Sequence, residues 1–252
     1  MMNRPFAIQA RAYFCICILT IVSMGLHGQD STRIAATQAQ ITNVHVGAVP
    51  IAIPSPTDQL VEPGPDYRVI FEPLVPVNNR LVAAFVPLDK INTIHKGIAP
   101  PMDTYILIEV ARQTEFTEID SVTFQQIAEA LGKQFGGDIS QFSKTGQEEI
   151  NHNLKALGNS TSVTIDKPVP LGIFFVTTNA IGVGSITPYK VNGVTTRKVG
   201  CLTLLRVRGH VLSLFTYSPY KDDETVTWVK TVSARWADAI LKANEGPNGP
   251  SE

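Results

Sequence analysis

The stretch VNGVTTRKVGCLTLLRVRGHVLSLFTY, Val191–Tyr217, decides the fold. Asn192-Gly193 is the strongest short hairpin signal in the chain, because both central residues of a type I′ turn need positive φ. Arg208-Gly209 is a second two-residue turn candidate with a weaker first residue. The runs these turns join, Gly184–Val191, Val194–Val207 and His210–Tyr217, are rich in β-branched and apolar residues and read as strands. Two-residue connections permit only antiparallel neighbours, so the second half of the chain reads as a meander that also takes in Leu171–Thr178.

Beyond the meander, Asp223 to Ala243 changes to helical period. Trp228, Val232, Trp236 and Ile240 recur every fourth residue, which predicts a stripe laying both indoles against a face of the sheet. Asp222, Asp223 and Glu224 suit the positive end of the helix dipole and Lys242 the negative end. Upstream, Phe124, Ile127, Ala128, Leu131 and Phe135 predict a helix over Ser121–Phe135, with Asp120 or Ser121 as N-cap and Gly136-Gly137 as the stop. A shorter helix is expected to start at the capping box Thr145-Gly-Gln-Glu148, bury Ile150, Leu154 and Leu157, and end at Gly158. Arg80–Val86 and Tyr105–Val110 are apolar runs that read as strands covered on both faces. Pro50, Pro54, Pro56, Pro63 and Pro65 make Val49–Pro65 extended or loop-like, at best an edge strand.

These elements define an α+β fold, an antiparallel sheet packed by two mid-chain helices and a long C-terminal helix. The layout resembles that of exported proteins of the PsbP and DcrB type, in which a signal sequence precedes one domain with a central antiparallel sheet and a C-terminal helix. The resemblance covers about Val49 to Ala243, rests on the Val194–Tyr217 meander and the helix after it, and includes no diagnostic motif. It implies a non-catalytic accessory or assembly protein and carries over no functional residue.

The N-terminus points to export. Arg4 and Arg11 precede an uninterrupted apolar run from Ala12 to Leu26, about 15 residues, shorter than the roughly 18–20 that span a bilayer. Small residues follow, so cleavage is expected after Gly28 or Gly25; Leu26 suits the site poorly, and the alternative is an uncleaved anchor. Cys15 and Cys17 leave with the signal, so the mature chain keeps only Cys201 and forms no internal disulfide. The expected organisation is a signal peptide over 1–28, a polar linker over 29–47, one α+β domain over 48–244 and a disordered tail over 245–252.

The 252 residues carry a formal charge of −1 with scattered Lys and Arg, which excludes the basic stripe that tracks nucleic acid. A domain of this size needs no cofactor or metal to hold its core. Glu148, Glu149 and His152 supply half of a carboxylate-bridged di-metal set, but no facing helix offers the second Glu-x-x-His, so they read as a solvated helix face. Ser218-Pro-Tyr-Lys221 and Lys144-Thr-Gly146 match two short motifs of penicillin-recognising serine enzymes in reversed order and wrong context, and read as turn chemistry. Cys201 shares a strand face with Val199, Thr203, Leu205 and Val207 and reads as a buried, inert thiol, with His210 across the turn nearer Val207. Gly182-Val-Gly184-Ser185 lacks the third glycine of a dinucleotide fingerprint and reads as a loop or bulge. Asn159-Ser-Thr161 is a glycosylation acceptor only in a host that glycosylates exported proteins.

No catalytic, cofactor-binding or metal residue is assigned. The function expected is an exported, non-enzymatic binding or accessory protein, periplasmic or secreted. Its partner is a protein or envelope component, with membrane contact only if the N-terminal segment stays uncleaved. The alternative is an extracytoplasmic hydrolase of unrecognised type built around His95, Asp103 and His152. A third reading, a small-molecule site, requires an apolar cavity near Trp228 and Trp236. Intact mass and fractionation from the native host test the export reading: a soluble extracytoplasmic species starting near Gln29 is expected, and an uncleaved membrane-bound species would make Ala12–Leu26 an anchor.

Overall fold

The computed structural model describes residues 40–64, 71–96, 103–135, 140–156, 163–191 and 193–246. In chain order these form β1 (Ile41–Val46), β2 (Val49–Pro54), β3 (Leu60–Val61), β4 (Asn79–Pro87), α1 (Ile91–His95), β5 (Tyr105–Ala111), α2 (Ser121–Phe135), α3 (Ser140–Ala156), β6 (Val163–Ile165), β7 (Val169–Val176), β8 (Ala180–Val191), β9 (Val194–Val207), β10 (His210–Pro219) and α4 (Asp223–Asn244). An eight-stranded sheet runs β3-β4-β5-β10-β9-β8-β6, with β7 also paired to β8, and every pairing is antiparallel. The α+β architecture read from the sequence is the one observed.

Both predicted hairpins of the meander form. Val191 pairs with Val194 around Gly193 at φ +84°, and Val207 pairs with His210 around Arg208 and Gly209 at φ +49° and +76°. A left-handed arginine costs on the order of 1 kcal/mol. Its side chain offsets this, because the guanidinium donates to the Pro50 carbonyl at 3.1 Å and the Asn244 carbonyl at 3.4 Å.

The sheet is apolar on both faces, and each face has its own cover. Leu81, Leu107, Val183, Leu202, Leu204 and Phe215 face α2 and α3, meeting Phe124, Leu131, Phe135 and Ile150. The opposite face presents Phe85, Ile106, Ile108, Leu205, Leu212 and Leu214 to α4 and to the β1–β2 hairpin. Asp120 caps α2 by accepting from the Thr123 amide at 2.6 Å, and Asp222 caps α4 by accepting from Thr225 at 3.0 Å.

Four expectations are corrected. The polar linker fails over its described part: Ile41–Val46 is a strand paired with β2, so the folded domain starts before residue 48. Only Val44 and Val46 of that strand enter the core, too few to show alternation, and its turn hangs on Gly47 at φ +56°. Helix α3 starts at Ser140, before the Thr145 capping box, because nothing in Ser140–Lys144 breaks a helix. Gly182–Ser185 lies within β8, where the glycines clear room for aromatic rings: a Cβ at Gly184 would stand 2.0 Å from Phe174, and one at Gly182 would stand 2.3 Å from Phe175. Finally, Trp228 is 37% exposed while Trp236 is buried, since a four-residue step drifts round the helix and the buried stripe is Val229, Val232, Ser233, Trp236, Ala237 and Ile240. The signal peptide, the first part of the linker, Gly136-Gly137, Leu157, Gly158, Asn159–Thr161 and the end of the tail lie outside the described residues.

Replacing Gly184 by Ala is expected to cost about 1–3 kcal/mol, the range for overpacking a filled core. Chemical denaturation checks this, and adding Phe174→Leu recovers part of the loss.

Candidate functional site

The candidate residues named from the sequence lie on or beside separate elements. His95 ends α1, and its Nε2 is 3.0 Å from the Pro63 carbonyl oxygen. Asp103 is an exposed residue before β5; burial pushes the Tyr189 phenol up, and the Asp103 carboxylate adds to that shift. His152 and Glu148 are exposed on α3. Ser218 closes β10 with its hydroxyl 3.3 Å from that of Thr104, while Lys144 and Gly146 lie within α3. Among the described residues no group of three or more His, Cys, Asp or Glu is placed to hold a metal.

Cys201 sits on the α4 face of β9, 1% exposed, its sulfur 3.6 Å from the Thr203 hydroxyl. Burial pushes its thiol up to about 11. Cys201 pairs with Thr216 and His210 with Val207, so the register separates the two by six positions and supplies no base. The two indoles named by the small-molecule reading differ in setting. The Trp236 ring meets Phe85 edge-on at 5.4 Å between centroids and its Nε1 donates to the Pro54 carbonyl at 2.6 Å, while Trp228 stands apart at the surface.

One carboxyl was legible only as an oddity. Glu109 interrupts the apolar run Tyr105–Val110, and in the structure it is 1% exposed, accepting from the Asn79 amide at 2.7 Å. Burial pushes it up to about 8 against the pull of that hydrogen bond, with the Glu149 carboxyl of α3 raising it further. Glu149 is itself pushed up by burial, and among the described residues its buried Oε2 has no hydrogen-bond partner. A charged residue inside a strand covered on both faces is the signal that points to Glu109 from sequence.

The feature that gathers residues into a surface is the outer side of β7. Two bulges, at Pro170–Gly172 and Ile173–Phe175, turn Phe174 and Phe175 inward toward the α4 side. Ile173 and Val176 are left 51% and 57% exposed, beside Val122 of α2 at 67%. A cleft of about 700 Å³ lies between α2 and β7, floored by Ala128, Gly132, Ile173 and Ile181 and rimmed by Gln125, Glu129 and Lys133. Gly132 lets the helix approach, because a Cβ there would stand 3.1 Å from Ile173. None of His95, Asp103 and His152 lines this cleft.

Helix side chains cap other strand edges. Asn151 both donates to and accepts from Val163 of β6, at 2.8 and 2.9 Å, and Gln147 accepts from Ile165 at 2.7 Å. Asn244 bonds Ala52 of β2 in the same reciprocal way, at 2.9 and 2.8 Å. Among the described residues, β7 pairs with β8 and no side chain caps its other edge.

No protein-family model and no curated protein matches the sequence. A solved structure that does match is the Saccharomyces cerevisiae Ran-binding protein Mog1p, at 10% identity, covering 82% of this chain and 93% of that one, with a TM-score of 0.28. Overlap at that level carries no argument about this chain.

The Cys201 environment makes a direct expectation. At pH 8 a thiol held at about 11 is at least about a hundredfold less ionised than a free cysteine, so iodoacetamide labels the folded protein at least that much more slowly than the unfolded chain. Mass spectrometry after timed labelling checks it, and fast labelling of the folded protein would reopen a nucleophilic role.

Proposed function

We propose that this chain is an exported, non-enzymatic binding domain of the cell envelope or secreted fraction, and that it receives an extended segment of a partner protein along β7. The observation that carries the reading is the uncapped outer edge of β7 beside an apolar cleft, in a fold whose β2 and β6 edges are closed by side-chain amides. An open edge offers main-chain donors and acceptors to an added strand, and the cleft offers apolar burial to its side chains. Pro170 and the bulges shorten the usable edge, so pairing is confined to the stretch from Gly172 to Val176. The charge at the rim is balanced, since Lys133 donates to Glu129 at 2.7 Å, which favours an apolar segment over a strongly charged one. Export is supported by the Arg4, Arg11 and Ala12–Leu26 pattern, and an accessory role agrees with the PsbP- and DcrB-type layout.

A photo-crosslinker at Ile173 is expected to capture a defined partner in the native host, while one at exposed Glu224 does not. With that partner purified, Ile173→Asp combined with Val176→Asp weakens binding at least about tenfold, a loss of about 1.4 kcal/mol, and leaves the melting temperature within a few degrees of the wild type. Equal capture from both positions, or unchanged affinity in the double variant, would remove β7 as the docking edge. Turnover of generic ester, glycoside or phosphate substrates, abolished by one substitution, would overturn the non-enzymatic reading.

A further inference from the structure

A polar cluster on the sheet face turned toward α2 and α3 shares no residue with the β7 cleft. β8 runs in unbroken register with β9 from Ala180 to Val191, so alternation places Ser185 and Thr187 on the face that carries Val183 and Tyr189. Lys198 stands opposite Thr187, while Gly200 stands opposite Ser185 on one side and Tyr217 on the other. Tyr105 pairs with Tyr217, their ring centroids 5.0 Å apart, so the cluster spans the adjacent strands β5, β10, β9 and β8. The Lys198 Nζ lies 4.5 Å from the Tyr105 ring centroid and 5.8 Å from that of Tyr189.

Every member is buried: Lys198 is 4% exposed, Thr187 2% and Ser185 0%. Among the described residues, neither the Ser185 Oγ nor the Thr187 Oγ1 has a hydrogen-bond partner. A hydroxyl that has lost water without gaining a partner is destabilising, and here two of them stand at strand positions next to a buried ammonium. Same-face positions two apart on a strand are about 7 Å apart, close enough for one carboxylate to accept from both hydroxyls. We propose that this cluster is a binding site for a small aromatic carboxylate. The Lys198 ammonium gives the carboxylate one of its three N–H donors, the Ser185 and Thr187 hydroxyls donate to its oxygens, and the tyrosine rings flank its flat body.

The chemistry of the cluster selects the ligand. Its one cationic side chain is an ammonium, with no guanidinium fork beside it, which matches a monoanion better than a phosphate dianion. The Asp103 carboxylate, close enough to act on Tyr189, disfavours a second negative charge on the ligand. Tyrosine rings take a flat apolar body edge-on or in offset stacking. Thr196, opposite Tyr189 in register, and Asp103, two residues before Tyr105, are exposed and mark the solvent side of the cluster.

Isothermal titration of the full chain with benzoate, benzamide and inorganic phosphate tests the site. Benzoate is expected to bind with a Kd below about 1 mM and at least about tenfold more tightly than either of the other probes. Ser185→Ala combined with Thr187→Val weakens benzoate binding at least about tenfold. The same double variant keeps its melting temperature at or above the wild-type value, because it removes hydroxyls that have no partner among the described residues. Lys198→Met, checked for folding by near-ultraviolet circular dichroism, erases the preference for benzoate over benzamide. The proposal is overturned if benzoate shows no saturable binding or binds no more tightly than benzamide, if phosphate binds more tightly, or if benzoate affinity is unchanged in the double variant. A lowered melting temperature in the double variant would also overturn it, marking the two hydroxyls as structural. None of these outcomes bears on docking at β7.

Discussion

The whole architecture depends on a sheet that is apolar on both faces. β4, β5, β9 and β10 alternate between two aliphatic surfaces, and neither can face water without losing the burial that stabilises the fold. Helices α2 and α3 satisfy one face. Helix α4 and the β1–β2 hairpin share the other, joined where the Trp236 indole donates to the Pro54 carbonyl and stands edge-on to Phe85. The Arg208 turn ties in the same junction from below, holding the Pro50 and Asn244 carbonyls. A left-handed arginine, a proline-bounded strand and the last helix thus stabilise one another.

A second constraint is what becomes of strand edges. Each edge residue leaves a main-chain donor and acceptor to be satisfied by water, a strand or a side chain. Here the third solution recurs: Asn244 imitates a neighbouring strand for Ala52, and Asn151 with Gln147 does so for Val163 and Ile165. The amide side chain is suited to this because it carries both a donor and an acceptor in one plane. Against that pattern, β7 keeps exposed apolar side chains beside an edge that no side chain caps among the described residues.

The polar residues singled out in the sequence each take their setting from the element that carries them. His95, Asp103 and His152 are local features of separate elements, and Cys201 is sealed under α4 in a strand register that carries His210 away from it. Glu109 is the converse case. Its interruption of an apolar run marks it in the sequence, and folding removes its water, gives it a neutral partner and pushes its carboxyl up to about 8. Its ionisation is a property of the packed helix–sheet junction.

The sequence by itself determined the period of each long element, the two hairpin turns and hence the antiparallel α+β layout. Turn chemistry at Asn192-Gly193 and Arg208-Gly209, and the helical spacing of Phe124, Ala128, Leu131 and Phe135, are local physics that short windows carry in full. The start of the domain at β1, the early start of α3 and the exposure of Trp228 came from tertiary structure, because each depends on what packs against it. The open side of β7 was equally hidden: it exists because bulges send Phe174 and Phe175 to one face over Gly184 and Gly182 and leave Ile173 and Val176 on the outside. Which edge is capped, which carboxyl keeps its proton and which apolar side chain stays in water are decided by residues far apart in the chain, and only their assembly brings those residues within reach.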